Sequence, residues 1–269
     1  MNFAKTLAKM GHHLIVIYQD EEALIMGEHL ESTRGVSIST EDDGYEVRIT
    51  TLATKADYVL FRDSIKVVHN IVGGDIYDDD EEPIADIGSL DNNWISERMD
   101  NDFEMITILA TQKEDSVVEL DGLVRPFCIG NDLLAALQIQ KGEVNEDAKD
   151  RLYERFLYIQ WGLREDLEMT TMGRMDIDQT GDQNQFKPIT MYFYNQRDFI
   201  RNAEYIILPK EDFCKGGKDY IVVPFTEFMK VAPETWQRID ERQFLAPHLS
   251  EQEYSSFWDR AIKVAKLVL

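Results

Sequence analysis

Hydrophobic positions change period several times along the chain, and each change marks an element. Leu14 to Tyr18 is a continuous apolar, largely β-branched run, which predicts a buried strand. Ala23 to Leu30 predicts a short helix, and the polar stretch 31–44 is punctuated by Gly35 and Gly44. Tyr45, Val47 and Ile49 alternate with Glu46, Arg48 and Thr50, the period of a half-buried strand. Thr54 is a good N-cap with Asp57 three residues on, and Tyr58, Phe61, Ile65, Val68 and Val72 then recur at helical spacing. Gly73-Gly74 closes that helix. Asp75 to Tyr77 predicts a short strand, followed by the unbroken acidic run Asp78, Asp79, Asp80, Glu81, Glu82 and then Pro83.

Residues 94–99 predict a short helix, and Phe103 to Ala110 and Val117 to Leu120 predict strands around the turn 112–116. Leu123 to Ile129 continues as strand after the Asp121-Gly122 turn, bent or at an edge because of Pro126. Asn131 or Asp132 caps a helix running to Gln140, and Asn145 caps the next, whose apolar face is Ala148, Leu152, Phe156 and Ile159. Leu167 to Met175 and Phe186 to Tyr194 form a hairpin around 176–185. Tyr205 to Leu208 and Tyr220 to Val223 are short strands, and Pro224 opens a helix through Val231. Trp236 to Ile239 and Phe244-Leu245 are weaker strand patterns. Ser250 and Glu253 form a capping box before the stripe Tyr254, Phe257, Trp258, Ala261, Ile262, Ala265 and Val268. Helices and strands do not alternate strictly. The expected fold is therefore α+β, with mixed or mostly antiparallel sheets, several packed helices and a C-terminal amphipathic helix. One domain over residues 1–269 accommodates this, with room for two subdomains dividing near 142–165.

Charge changes the picture most. Lys and Arg number 28 against 51 Asp and Glu, a formal net charge of −23. Such a surface repels nucleic-acid backbones and anionic membranes and attracts cations or basic proteins. The acidic run 78–82 is the densest part of that charge and the expected partner-binding segment, since complementary charge steers encounter. The two cysteines, Cys128 and Cys214, are far apart in sequence and read as reduced thiols, and no run is long enough for a signal peptide or a membrane span. A cytoplasmic location is expected.

Standard chemistry is hard to find. Gly73-Gly74 and Gly216-Gly217 lack the spacing of phosphate-binding loops, and no G-x-S-x-G elbow is present. Cys128 lies between apolar neighbours and reads as inert. Cys214 stands near Lys215 and Lys218, which would lower a thiol pKa. His12-His13 is the one histidine pair, and neighbours on a strand point to opposite faces, which does not suit zinc. Asp176-Ile177-Asp178-Gln179-Thr180-Gly181-Asp182 begins like a calcium loop, but its twelfth position is Lys187 where a bidentate Glu belongs. It reads as a polar hairpin tip. No cofactor or metal is expected.

Several segments carry a family likeness. These are Tyr45 to Ile49 followed by Thr54-Lys55-Ala56-Asp57-Tyr58, then Gly122-Leu123-Val124-Arg125-Pro126, Tyr192, Tyr205 to Pro209, and Pro224 to Phe228. Their order and pattern resemble an uncharacterised bacterial protein family known only as a domain of unknown function. Leu52-Ala53 departs from that family, which tends to carry proline there. The resemblance implies a bacterial, cytoplasmic protein and no activity. The leading expectation is a non-enzymatic acidic binding protein, immunity- or adaptor-like, that recognises a basic protein partner. The alternative is an enzyme with an unrecognised, carboxylate-based and metal-dependent site.

Overall fold

The computed structural model describes residues 3–142, 144–163, 167–193, 198–210 and 219–268. By its internal contacts the chain divides into two units, Met1–Leu163 and Arg164–Leu269. The first unit opens with helix α1 (Phe3–Lys9) and strands β1 (Leu14–Gln19), β2 (Ala23–Glu28), β3 (Val36–Glu41) and β4 (Gly44–Arg48). The four strands pair in chain order as an antiparallel meander. Helix α2 (Lys55–Val72) packs on it, and Phe3, Leu7, Leu24, Met26, Val36, Ile38, Leu60 and Val67 form the core between sheet and helices. Helix α3 (Asn92–Ala110), the hairpin β5 (Val117–Leu120) and β6 (Phe127–Gly130), and helices α4 (Asn131–Ala136) and α5 (Glu146–Leu157) complete the unit.

Capping sets where the helices start. Thr54 and Asp57 exchange hydrogen bonds as a full capping box at the head of α2, and Asn145 accepts from the Ala148 N–H at 2.8 Å at the head of α5. Each such cap is worth about 1 kcal/mol.

Five expectations change in this unit, each because tertiary packing outweighs local pattern. Residues 23–28 form a strand where a helix is expected. Leu24 and Met26 alternate into the core, and a Cβ on Gly27 would stand 2.4 Å from Leu123. The polar stretch 31–44 contains β3, whose Val36 and Ile38 are buried. Residues 103–110 belong to α3, since Phe103, Ile106 and Ala110 follow helical spacing from Ile95 onto one buried face. Helix α4 ends at Ala136. Gln138 adopts a left-handed φ of 55°, and the Asn131 amide is spent on the carbonyls of Lys113 and Glu114, so Gly130 occupies the N-cap. The strand expected over 123–129 narrows to β6. Its first residues form a turn clamped by Gln160, which accepts from the N–H groups of Val124 and Arg125 and donates to the Arg125 carbonyl.

The second unit holds β7 (Glu168–Met169), β8 (Thr171–Met175), β9 (Lys187–Met191), β10 (Asp198–Ile200), β11 (Tyr205–Pro209), β12 (Tyr220–Pro224), helix α6 (Phe225–Val231), β13 (Gln237–Arg238), β14 (Phe244–Ala246), helix α7 (Glu251–Ala261) and β15 (Leu267–Val268). They form a four-stranded sheet in the order β13-β14-β10-β7 and a five-stranded one in the order β15-β12-β11-β9-β8. The pairs β7–β10 and β9–β11 are parallel and the remainder antiparallel. The fold is α+β with mostly antiparallel sheets. Helix α7 starts at the Ser250–Glu253 capping box and buries Tyr254, Phe257, Trp258 and Ala261 in an aromatic core with Tyr192, Phe228 and Trp236. It stops sooner than its apolar stripe: Ile262 is exposed, and residues 267–268 form an edge strand.

Candidate acidic interface

The carboxylates of the first unit fall into two kinds. Asp57 is fully buried and collects the N–H groups of Thr33, Arg34, Gly35 and Thr54 at 2.8–3.2 Å. It thereby ties the turn between β2 and β3 to the start of α2. Leu123 N–H donates to Thr33 O at 2.8 Å, and Trp161 Nε1 to Ser32 O at 2.8 Å, so the 122–126 segment and the helical turn Tyr158–Gly162 that follows α5 converge on the same turn. Glycine is required at 122, where a Cβ would lie 2.1 Å from the Arg125 carbonyl oxygen. Leu52, beside this junction, takes a left-handed φ of 63° that costs roughly 1 kcal/mol. Its N–H is held by Asp102 at 2.8 Å and its carbonyl by the Thr33 hydroxyl. Asp102 also accepts from Tyr58 Oη at 2.8 Å, and burial raises both the Asp102 carboxyl and the Tyr58 phenol above their ordinary pKa values. These groups serve the fold.

The second kind faces water. Residues 78–82 are all exposed and form a tight loop at a narrow neck, where Tyr77 bridges to Pro83 and Ile84 N–H donates to Ile76 O at 2.8 Å. This bridge is what remains of the strand expected at 75–77. Asp78 is the organising residue: its Oδ1 accepts from the N–H groups of Asp80 and Glu82 at 3.0 and 2.9 Å. Asp78 N–H donates to Glu82 O, and Glu81 turns the chain with a φ of 61°. The side chains of Asp79, Asp80, Glu81 and Glu82 form no ion pair among the described residues. Tyr77, 59% exposed, stands at the neck beside them.

A further acidic surface escapes a linear reading. Because β1 to β4 form a meander, the β1–β2 and β3–β4 turns emerge at one end of the sheet, stitched by Thr40 N–H to Glu22 O at 2.8 Å. Asp20, Glu21, Glu22, Glu41, Asp42, Asp43 and Glu46 are thereby gathered there, all exposed. Asp20 is braced by Tyr18 Oη and by the N–H groups of Glu22 and Ala23, and those hydrogen bonds hold its carboxyl below the usual range. The signal was present in sequence as two short acidic triplets, but only strand pairing joins them. The adjoining strand β1 is not buried as its apolar run predicts. It is the sheet's edge, with Val16, Ile17 and Tyr18 exposed by more than two fifths.

The remaining sequence candidates resolve into structural roles. His12 joins Glu28 through Nδ1 and Asp63 through Nε2 at 3.3 Å, so both ring nitrogens are engaged by carboxylates. Burial pulls the Asp63 carboxyl up, but hydrogen bonds from Lys66 and Arg62 outweigh it and hold the group low. Asp176 closes the hairpin tip by accepting from Gly181 and Thr180 N–H at 2.6 and 2.9 Å, while Lys187 pairs with Glu204. Cys128 is fully buried; Cys214 and the turn at 215–218 lie outside the described residues. Among the described residues no group of three or more His, Cys, Asp or Glu could hold a metal ion, and no helix is long and apolar enough to cross a membrane.

A family model described as Domain of unknown function (DUF4299) matches residues 12–149, just over half of the chain and entirely within the first unit. It spans the Thr54–Tyr58 and Gly122–Pro126 motifs, whereas the likenesses at Tyr192, 205–209 and 224–228 fall beyond it. No curated protein and no solved structure matches the chain.

Proposed function

The chain belongs to the family described as Domain of unknown function (DUF4299), and from its surface we propose that it is a non-enzymatic, acidic binding protein of a bacterial cytoplasm that recognises a basic protein partner. One observation carries this reading: besides Asp78, which orders the backbone, the loop 78–82 holds four exposed carboxylates with no ion pair among the described residues. A pre-ordered anionic loop binds cations without first losing conformational freedom, and its field speeds encounter with a partner of opposite sign. Tyr77 adds an aromatic face on which an arginine or lysine can stack. The net charge of −23 discourages anionic ligands at long range and favours a partner rich in Lys and Arg.

Affinity capture from the native lysate tests this, with the wild type and the quadruple variant D79N/D80N/E81Q/E82Q as baits at low and high salt. The wild type should retain a basic protein at low salt. The variant should bind that purified protein about tenfold or more weakly, with a shallower salt dependence. Recovery of no basic protein at either salt, or undiminished binding by the variant, overturns the reading.

A further inference from the structure

Strand β1 lies at an open sheet edge. Its one strand neighbour is β2, and no other described strand pairs with it. A row of main-chain N–H and C=O groups on its outer side is therefore available for pairing. Three successive apolar residues on this strand, Val16, Ile17 and Tyr18, are 42%, 44% and 49% exposed, and the register shift at Ile17 leaves that residue without a partner on β2. An open groove of about 650 Å³ runs beside the strand, lined by Ala4 and Ala8 of α1 and by His13, Leu14, Ile15 and Val16. At its C-terminal end β1 enters the acidic surface formed by Asp20, Glu21, Glu22, Glu41, Asp42 and Asp43. Hydrogen-bonding edge, apolar stretch and uncompensated charge thus follow one another along a single line.

We propose that the outer edge of β1 binds an extended segment of a basic protein, laid antiparallel to β1, with apolar side chains against Val16 to Tyr18 and Lys or Arg residues over the two acidic turns. The antiparallel direction follows from its stronger pairing per residue, and it places the cationic end at the N-terminal side of the docked segment. Charge selects this occupant over a second copy of the chain, which would bring another net charge of −23 to the contact. The inference rests on the reading of a cationic partner but uses a surface separate in sequence from the loop 78–82.

The probe is a synthetic peptide of three lysines followed by alternating threonine and valine. Its binding is followed by fluorescence anisotropy, beside a copy N-methylated at alternate residues on the pairing edge. N-methylation removes main-chain donors while leaving charge and side chains in place. The unmodified peptide should bind, the N-methylated copy about tenfold or more weakly, and E21Q/E22Q should weaken binding and flatten its salt dependence. Equal binding of the two peptides overturns the strand pairing while leaving the cationic-partner reading standing on the lysate capture. A concentration-dependent dimer in sedimentation that the peptide does not dissociate assigns the edge to a second copy, and also overturns the proposal.

Discussion

Asp57 and the loop 78–82 put carboxylates to opposite uses within one unit. Asp57 sits out of water and is satisfied by four backbone N–H groups, so its charge belongs to the architecture that joins β2, β3 and α2. Asp79 to Glu82 sit in water, and among the described residues no cation answers them. A buried carboxylate without donors would be neutralised or would unfold the region, whereas an exposed one is hydrated and nearly indifferent to the fold. Acidity alone therefore says little about purpose. What distinguishes the two regions is whether the protein itself has consumed the charge.

The comparison breaks first at Asp57. Asn at this position keeps one acceptor oxygen but turns an N–H₂ group toward donors that need an acceptor. Asp57→Asn should destabilise the first unit by about 3 kcal/mol or more, read as loss of hydrogen-exchange protection around residues 33–35 during urea unfolding. A cost below about 1 kcal/mol would show that the turn holds itself and that Asp57 is incidental.

Asp102 stands between the extremes, and pH exposes it. Burial raises its carboxyl pKa in the folded state above the ordinary 3.8, so the folded chain holds that proton to higher pH than the unfolded chain does. The contribution of Asp102 is then most favourable below the unfolded value and declines as pH climbs through the window up to the raised folded value. In Asp102→Asn the amide oxygen can still accept from Leu52 N–H and Tyr58 Oη, which both use one oxygen of the carboxylate. The stability of wild type minus variant, from urea unfolding between pH 4 and 7, should fall as pH rises, by less than the Asp57→Asn effect. A difference that stays flat or grows with pH contradicts the buried assignment.

Local signals were readable in this chain where one residue acts on its near neighbours. Thr54 with Asp57, and Ser250 with Glu253, mark helix starts because a capping box closes within four residues. The strands at 171–175 and 187–191 were legible from their pattern and the polar tip between them. Residues 23–28 and 103–110 were not, because each is a short apolar run whose period depends on what it packs against. Exposure was harder still. Leu14 to Tyr18 has the composition of a buried strand, and only the strand order reveals that β1 is an edge. Among the acidic residues, the run 78–82 is visible as a run. The joining of Asp20–Glu22 to Glu41–Asp43 depends on the meander, and nothing local announces it.

The loop itself offers the smallest effect on stability and the sharpest test of the contrast. Neutralising Asp79, Asp80, Glu81 and Glu82 together removes four like charges from a single tight turn. It removes no ion pair among the described residues and no hydrogen bond that orders the loop, since Asp78 supplies those and is left in place. Relief of mutual repulsion should slightly stabilise the protein or leave it unchanged, with Tm moving by no more than about 2 °C in a thermal melt. If Tm instead drops well beyond that, the carboxylates are engaged by the protein itself in solution and belong with Asp57. If Tm holds while capture of the basic partner is lost, the charge of this loop is directed outward, and its cost in self-repulsion is tolerated for the sake of what it binds.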